Sequence, residues 1–90
     1  MFDIHWTDDS EAHIARHRVT PAEVEQSTYQ SFYTKPSRNG TTLLLGQTDA
    51  GRYLLVVLAP SGDGRWYVVT ARAMTYSERL TFKKKAPQSR

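Results

Sequence analysis

The stretch "TTLLLGQTDAGRYLLVVLAPSGDGRWYVVTAR", residues 41–72, decides the fold. It holds three runs of strand-forming residues: "TTLLLGQT" (41–48), "YLLVVLA" (53–59) and "RWYVVTAR" (65–72). Between them lie "DAGR" and "PSGDG", whose Gly, Asp, Pro and Ser suit tight turns, so the runs predict a three-stranded antiparallel meander. The middle run is apolar on both of its faces, which makes it the most buried strand. If the last strand alternates regularly, Arg72 shares a face with Trp66, Val68 and Thr70, while Tyr67, Val69 and Ala71 point the other way.

Towards the N-terminus, "FDIHW" (2–6) alternates apolar and polar residues and reads as a short strand. "TDDSEAHIARH" (7–17) follows as a short helix capped by Thr7 or Asp8, with acidic residues in its first turn, and Arg18-Val19 breaks the pattern. "TPAEVEQSTYQSF" (20–32) has Thr20 at the N-cap, Pro21 at the first helical position and Glu23 at the third, a start signal for a helix running to about Phe32. "YTKPSRNG" (33–40) reads as a loop. Beyond the meander, Thr75 and Glu78 form a capping box that opens a helix from Tyr76 to about Lys84. The expected architecture is α+β in the order β-α-α-β-β-β-α, a central antiparallel sheet packed with helices. It forms a single domain over residues 1–85, with a flexible basic C-terminal tail over 86–90.

A chain of 90 residues is one domain's worth, and 39% hydrophobic against 23% charged residues is ordinary globular composition. The absence of cysteine excludes a disulfide scaffold and thiolate metal sites. The first residues lack the basic region and apolar run of a signal peptide, and the longest apolar run, Leu54–Pro60, is far short of a membrane span, which points to a cytoplasmic protein. The net charge of +3 is unevenly spread. Residues 1–45 carry four basic and six acidic side chains, giving −2, and residues 46–90 carry eight and three, giving +5. That split suits either a basic face for a polyanion or acidic partner, or a solvated surface with a basic tail.

Arg72 closes a mostly apolar strand, where its planar fork suits a phosphate or carboxylate ligand, or else pairs with Glu78 to fix the strand–helix corner. Arg79 and Lys83, four apart on the last helix, project together and with Arg72 and Lys84 offer a phosphate-binding surface. The run "KKK" (83–85) also complements the helix dipole. His13 and His17 stand at i and i+4, but no third ligand is placed and the glutamate of H-E-x-x-H is missing, so no metal site is expected. His17 alone is either a general base or acid or a plain helix-end histidine.

Three stretches together resemble a known family. "FDIHWTDDSEAHIARHRV" (2–19) is similar to an opening strand followed by a helix that closes in Lys-His-Gly-Val. "RNGTTLLLGQTDAGRYLLVVLA" (38–59) resembles an Arg-containing loop leading into a ϕxxϕG segment and an apolar strand. "VVTARAMTYSER" (68–79) resembles "IIS-x-R-x-A-x-x-x-E-R", with Arg72, Glu78 and Arg79 in register. Over residues 2–82 the chain looks like a BrnT-type toxin, one of the RelE-like ribonuclease toxins of bacterial type II toxin-antitoxin systems. The resemblance implies a small α/β toxin that cleaves RNA without metal or other cofactor and inhibits translation and growth. It implies a cognate antitoxin with a ribbon-helix-helix DNA-binding domain, contact with operator DNA only through that antitoxin, and no membrane partner. Carried over by position, Arg72, Glu78, Arg79 and His17 are the catalytic set, and Arg38, Arg52, Tyr76 and Lys83 bind substrate. Arginines would hold the scissile phosphate, Glu78 or His17 would activate the ribose 2′-OH, and Tyr76 would supply a proton or stack on a base. Two departures stand out: Arg18 replaces the glycine, so different turn chemistry is expected, and Ala73, Met74 and Ser77 occupy a region richer in arginine in relatives. The competing expectation is a non-enzymatic protein-interaction or transcription-regulating module.

Overall fold

The structure, a computed structural model, describes residues 2–86. Helices α1 (Asp8–Ala15) and α2 (Pro21–Ser27) come first, followed by strands β1 (Tyr33–Pro36), β2 (Thr42–Gln47), β3 (Tyr53–Pro60) and β4 (Trp66–Ala73), then helix α3 (Tyr76–Lys85). The strands form one antiparallel sheet in the order β1-β2-β3-β4. The α+β class and the meander are as the sequence predicts, and all three helices start at the threonine caps Thr7, Thr20 and Thr75. No helix among the described residues is long and apolar enough to cross a membrane. Of the expected tail, Ala86 is buried beside Phe82, and residues 87–90 lie outside the described residues.

The element order differs from expectation at two places. The segment expected to be a first strand makes one parallel bridge, Ile4 to Trp66, held by Trp66 N–H donating to Asp3 O (2.9 Å) and His5 N–H donating to Trp66 O (2.8 Å). Pairing stops there because Thr7 caps α1, and Trp6 Nε1–H is drawn to Glu25 Oε2 on α2 (2.7 Å). Conversely, the expected loop at 33–40 supplies edge strand β1, with Tyr33 opposite Leu45 and Pro36 opposite Thr42. Proline fits there because an edge strand has one side with no ladder partner to lose. A short 3₁₀ turn, Arg38–Gly40, reverses the chain, with Asn39 (φ 57°) and Gly40 (φ 74°) both left-handed.

Helix α2 is also shorter than expected, ending at Ser27 rather than near Phe32. Ser27 Oγ–H donates to Val24 O (2.6 Å) and Thr28 Oγ1–H to Glu25 O (2.8 Å), so hydroxyls occupy carbonyls that a further turn would need. Gly46 on β2 then lets the helix end close on the sheet. A Cβ at position 46 would lie 2.6 Å from Ser27 O and 3.0 Å from Ser27 Cβ.

Because β2 and β3 are apolar on both sides, the sheet has two cores. On one face, Ile14, Val19 and Val24 from the α1–α2 layer pack on Leu44, Leu54, Val56, Leu58, Val68 and Ala71. On the other, Phe82 of α3, Ala86 just after it and Met74 just before it pack on Leu45 and Leu55, with Tyr33, Leu43, Tyr53 and Val57 around them. The expectation that β3 is the most buried strand holds, since four of its residues are buried and Leu54, Val56 and Leu58 are fully so.

Strand β4 does not alternate regularly. Leu58 pairs with Val68 and Val57 with Thr70, leaving Val69 as a bulge. Val68 and Ala71, three residues apart, therefore bury in the same core. Arg72 stands opposite Leu55 and belongs to the α3 face, not to the face of Val68 expected from strict alternation.

The α1–α2 corner keeps the turn that its sequence had seemed to lose. Val19 N–H donates to Ile14 O (3.1 Å) and Arg18 N–H to Ala15 O (3.0 Å), with Arg18 left-handed at φ 59°. This is the Schellman arrangement, and buried Ile14 and Val19 complete its apolar contact. Arg18 thus occupies a position that favours glycine, at a cost of about 1 kcal/mol. Arg52 secures the corner by donating from Nη1 to Arg18 O (2.6 Å) and to Glu23 (3.1 and 3.2 Å), the capping-box glutamate of α2. Two substitutions of opposite sign follow from these positions. Arg18→Gly raises stability by about 1 kcal/mol, seen in thermal unfolding as a gain of roughly 4–8 °C. Gly46→Ala lowers stability by about 1–3 kcal/mol, because Ser27 is backbone-fixed and cannot yield.

Candidate functional site

The α3 face of the sheet is built in rows. One row runs Tyr33–Leu45–Leu55–Arg72 from β1 to β4 and the next Lys35–Leu43–Val57 from β1 to β3. Helix α3 enters above the first row, and its start is fixed by Thr75 Oγ1 accepting from Glu78 N–H (3.3 Å) and Glu78 Oε1 accepting from Thr75 N–H (2.8 Å). The same carboxylate receives Arg72 in a two-pronged pair, Nη1 to Oε1 and Nη2 to Oε2, both 2.9 Å. Arg72 Nη1 also donates to Ala73 O (3.1 Å). These bonds leave Nε–H and the second Nη2–H of Arg72 available to another acceptor.

The pair shapes the electrostatics of the corner. Arg72's hydrogen bonds, with help from the backbone of Thr75, hold the Glu78 carboxyl below its ordinary value despite partial burial, and Glu78 holds the Arg72 guanidinium protonated. Glu78 is therefore a stabilised anion that orients Arg72. Its capping role and its pairing role are simultaneous.

One turn on, Arg79 lies over the ring of Tyr53, with Cζ 4.8 Å from the centroid, and Lys83 Nζ reaches the same ring at 5.6 Å. Phe82 meets Tyr53 edge-on at 5.8 Å. Tyr53 and Leu55 are two residues apart on β3, so the supports of Arg79 and Arg72 are separated by roughly 7 Å along the strand. Beside them, a cleft of about 90 Å³ is lined by Tyr33, Lys35, Leu43, Leu45, Leu55, Glu78 and Thr81.

The structure brings together Arg72, Glu78, Arg79 and Lys83 and places Tyr76 nearby, exposed in the first turn of α3. The other candidates sit elsewhere. His17 is exposed at the end of α1 with its ring 5.7 Å from His13, whose Nε2 is 3.1 Å from Thr70 Oγ1. Arg52 belongs to the α1–α2 corner, where its Nη2 also reaches His17 O at 3.5 Å. Arg38 lies at the tip of the β1–β2 hairpin, exposed. No group of three His, Cys, Asp or Glu side chains among the described residues is placed to hold a metal ion. Sequence reasoning missed Tyr33, Lys35 and Tyr53. The strand-forming residues of "FYT" were the available signal for β1 and hence for the first two, masked by the proline and glycine that follow.

The linkage of Glu78 to pH has a definite sign. A carboxylate whose folded pKa is depressed stabilises the fold above its ordinary value of 4.5 and loses that contribution as pH falls through the lower folded value. Glu78→Gln keeps a capping side chain but not the ion pair. In urea unfolding, wild type should exceed the variant by a constant margin above about pH 5, and the gap should close as the solution is acidified below that. A gap that is flat down to pH 2 is the contrary result.

No protein-family model, no curated protein and no solved structure matches the chain.

Proposed function

We propose that this chain is a RelE-like endoribonuclease toxin of a type II toxin-antitoxin system, acting on RNA without metal. The observation that carries the reading is that Arg72, opposite Leu55 in the sheet, and Arg79, over the Tyr53 ring, lie on the same α3 face. Two guanidinium forks on one face suit the non-bridging oxygens of a phosphodiester. Lys83 extends the cationic ridge along the helix. The left-handed Arg18 lends further support, because it stands where the resembled family has its glycine.

In this reading the ribose 2′-OH gives its proton to solvent as its oxygen attacks the neighbouring phosphorus, and the bond to the 5′-oxygen breaks, leaving a 2′,3′-cyclic phosphate and a 5′-hydroxyl. Arg72 and Arg79 stabilise the charge that builds on the phosphoryl oxygens. Glu78 positions Arg72, and Tyr76 protonates the departing 5′-oxygen. His17 and Arg52, on the α1–α2 side, take no part. A cognate antitoxin completes the system and contacts operator DNA on the toxin's behalf. The rival reading, a non-enzymatic interaction module, draws on the exposed Tyr67 and Val69 of β4, and it requires partner binding without RNA turnover.

Induced expression tests the proposal directly. Wild type should arrest growth and cut RNA in the presence of a chelator, with cyclic phosphate ends. Arg79→Ala should stay folded, relieve the arrest and lower cleavage at least about 100-fold. Intact growth and intact RNA with wild type would sink the proposal.

A further inference from the structure

The cleft beside Arg72 has a form of its own. Its floor is apolar, made by Leu43, Leu45 and Leu55, and its rim carries the Tyr33 hydroxyl, the Lys35 ammonium, the Glu78 carboxylate and the Thr81 hydroxyl. An apolar base ringed by a few placed polar groups is the pattern of a site for a planar, polar-edged ring. At about 90 Å³ it is smaller than a closed cavity of about 150 Å³ that takes one benzene ring, so it admits the edge of a single ring with the remainder in the open mouth.

Position adds a second constraint. Leu55, in the floor, is the direct sheet partner of Arg72, and Glu78, in the rim, is its ion-pair partner. A phosphate held by Arg72 and Arg79 therefore has a flanking base within reach of this opening. Lys35 adds a cation on the far side, so the cleft lies between two positive groups, as a polyanion's path requires.

We infer that the cleft is the nucleobase subsite of the cationic ridge and takes one pyrimidine ring from single-stranded RNA. This rests on the ribonuclease reading for its substrate. Lys35 donates to a ring carbonyl, and Glu78 accepts from the ring N–H of uracil or the amino group of cytosine. A purine enters by only one of its rings. The strand must be single, because a paired and stacked base cannot be turned into a side cleft.

Binding decides the matter without cleavage. Fluorescein-labelled 2′-O-methyl hexanucleotides of uridine, of adenosine and of abasic sugar share one backbone and cannot react through the 2′ position. By anisotropy, wild type should bind the uridine oligomer at least about fivefold more tightly than the abasic one, with adenosine in between. Leu43→Trp fills the floor and should bring the uridine-to-abasic ratio close to one while abasic affinity is kept. Lys35→Ala, at an exposed position that the fold tolerates, should also reduce the ratio, so the test survives if the tryptophan variant fails to fold. Equal binding of the three oligomers by wild type, or a uridine preference intact in Lys35→Ala and in folded Leu43→Trp, overturns the inference. A preference that disappears in the variants, with ordinary RNA left uncut, sinks the ribonuclease reading alone. Cleavage of ordinary RNA with no base preference sinks the subsite alone.

Discussion

Strand β3 presents apolar side chains on both of its faces, and the architecture follows from the need to cover each of them. Leu54, Val56 and Leu58 point to one layer and Leu55 and Val57 to the other. Burying a leucine is worth roughly 2–3 kcal/mol, so neither side can be left wet in a chain this small. The α1–α2 pair closes the first side, and α3 with Met74 closes the second. Since α3 has only ten residues, it covers Leu45 and Leu55 well and Leu43 and Val57 less well. The cleft is the part of the second core that the helix does not reach.

One device fixes both layers. In α2 and in α3 the third helical residue is a glutamate that caps the helix start and at the same time holds an arginine: Glu23 with Arg52, and Glu78 with Arg72. The two arginines stand at one end of the sheet, where the start of β3 lies beside the close of β4, and they serve opposite faces, Arg52 the α1–α2 layer and Arg72 the α3 layer. The two pairs differ in what else the arginine does. Arg52 also grips the carbonyl of Arg18, which ties it to the corner. Arg72 adds the carbonyl of its neighbour Ala73 and keeps an edge of its fork turned outward. The same chemistry serves the fold on one face and leaves a charged edge exposed on the other.

The sequence was most legible where one signal dominated. The doubly apolar run, the two turns and the caps at Thr20 and Thr75 each had a single reading and formed as read, and of Thr7 and Asp8 it is Thr7 that caps the first helix. Where two signals competed, the weaker pattern was hidden. "FDIHW" alternates like a strand, but the cap at Thr7 and the Trp6–Glu25 bond take the chain away after one bridge. "YTKP" looked like a loop because proline ends it, yet an edge position makes that proline harmless. Arg72 was identified from its place at the strand end, but its face was misread because no residue type announces a bulge at Val69. The partners of the site, Tyr33 and Lys35, are brought in by pairing across three strands, a relation that no local pattern carries.

The bulge at Val69 and the proline at position 36 stand at opposite margins of the sheet. An open strand edge is a template on which another chain can continue the ladder. At the β1 margin, Pro36 offers no N–H for such a ladder. At the β4 margin, the extra residue coils the strand and disturbs the spacing of its outward groups, and the N-terminal segment already covers Trp66. Growth of the sheet is discouraged on both sides. Such margins favour recognition through side chains on a helix or a face, where residue identity counts for more than backbone pairing.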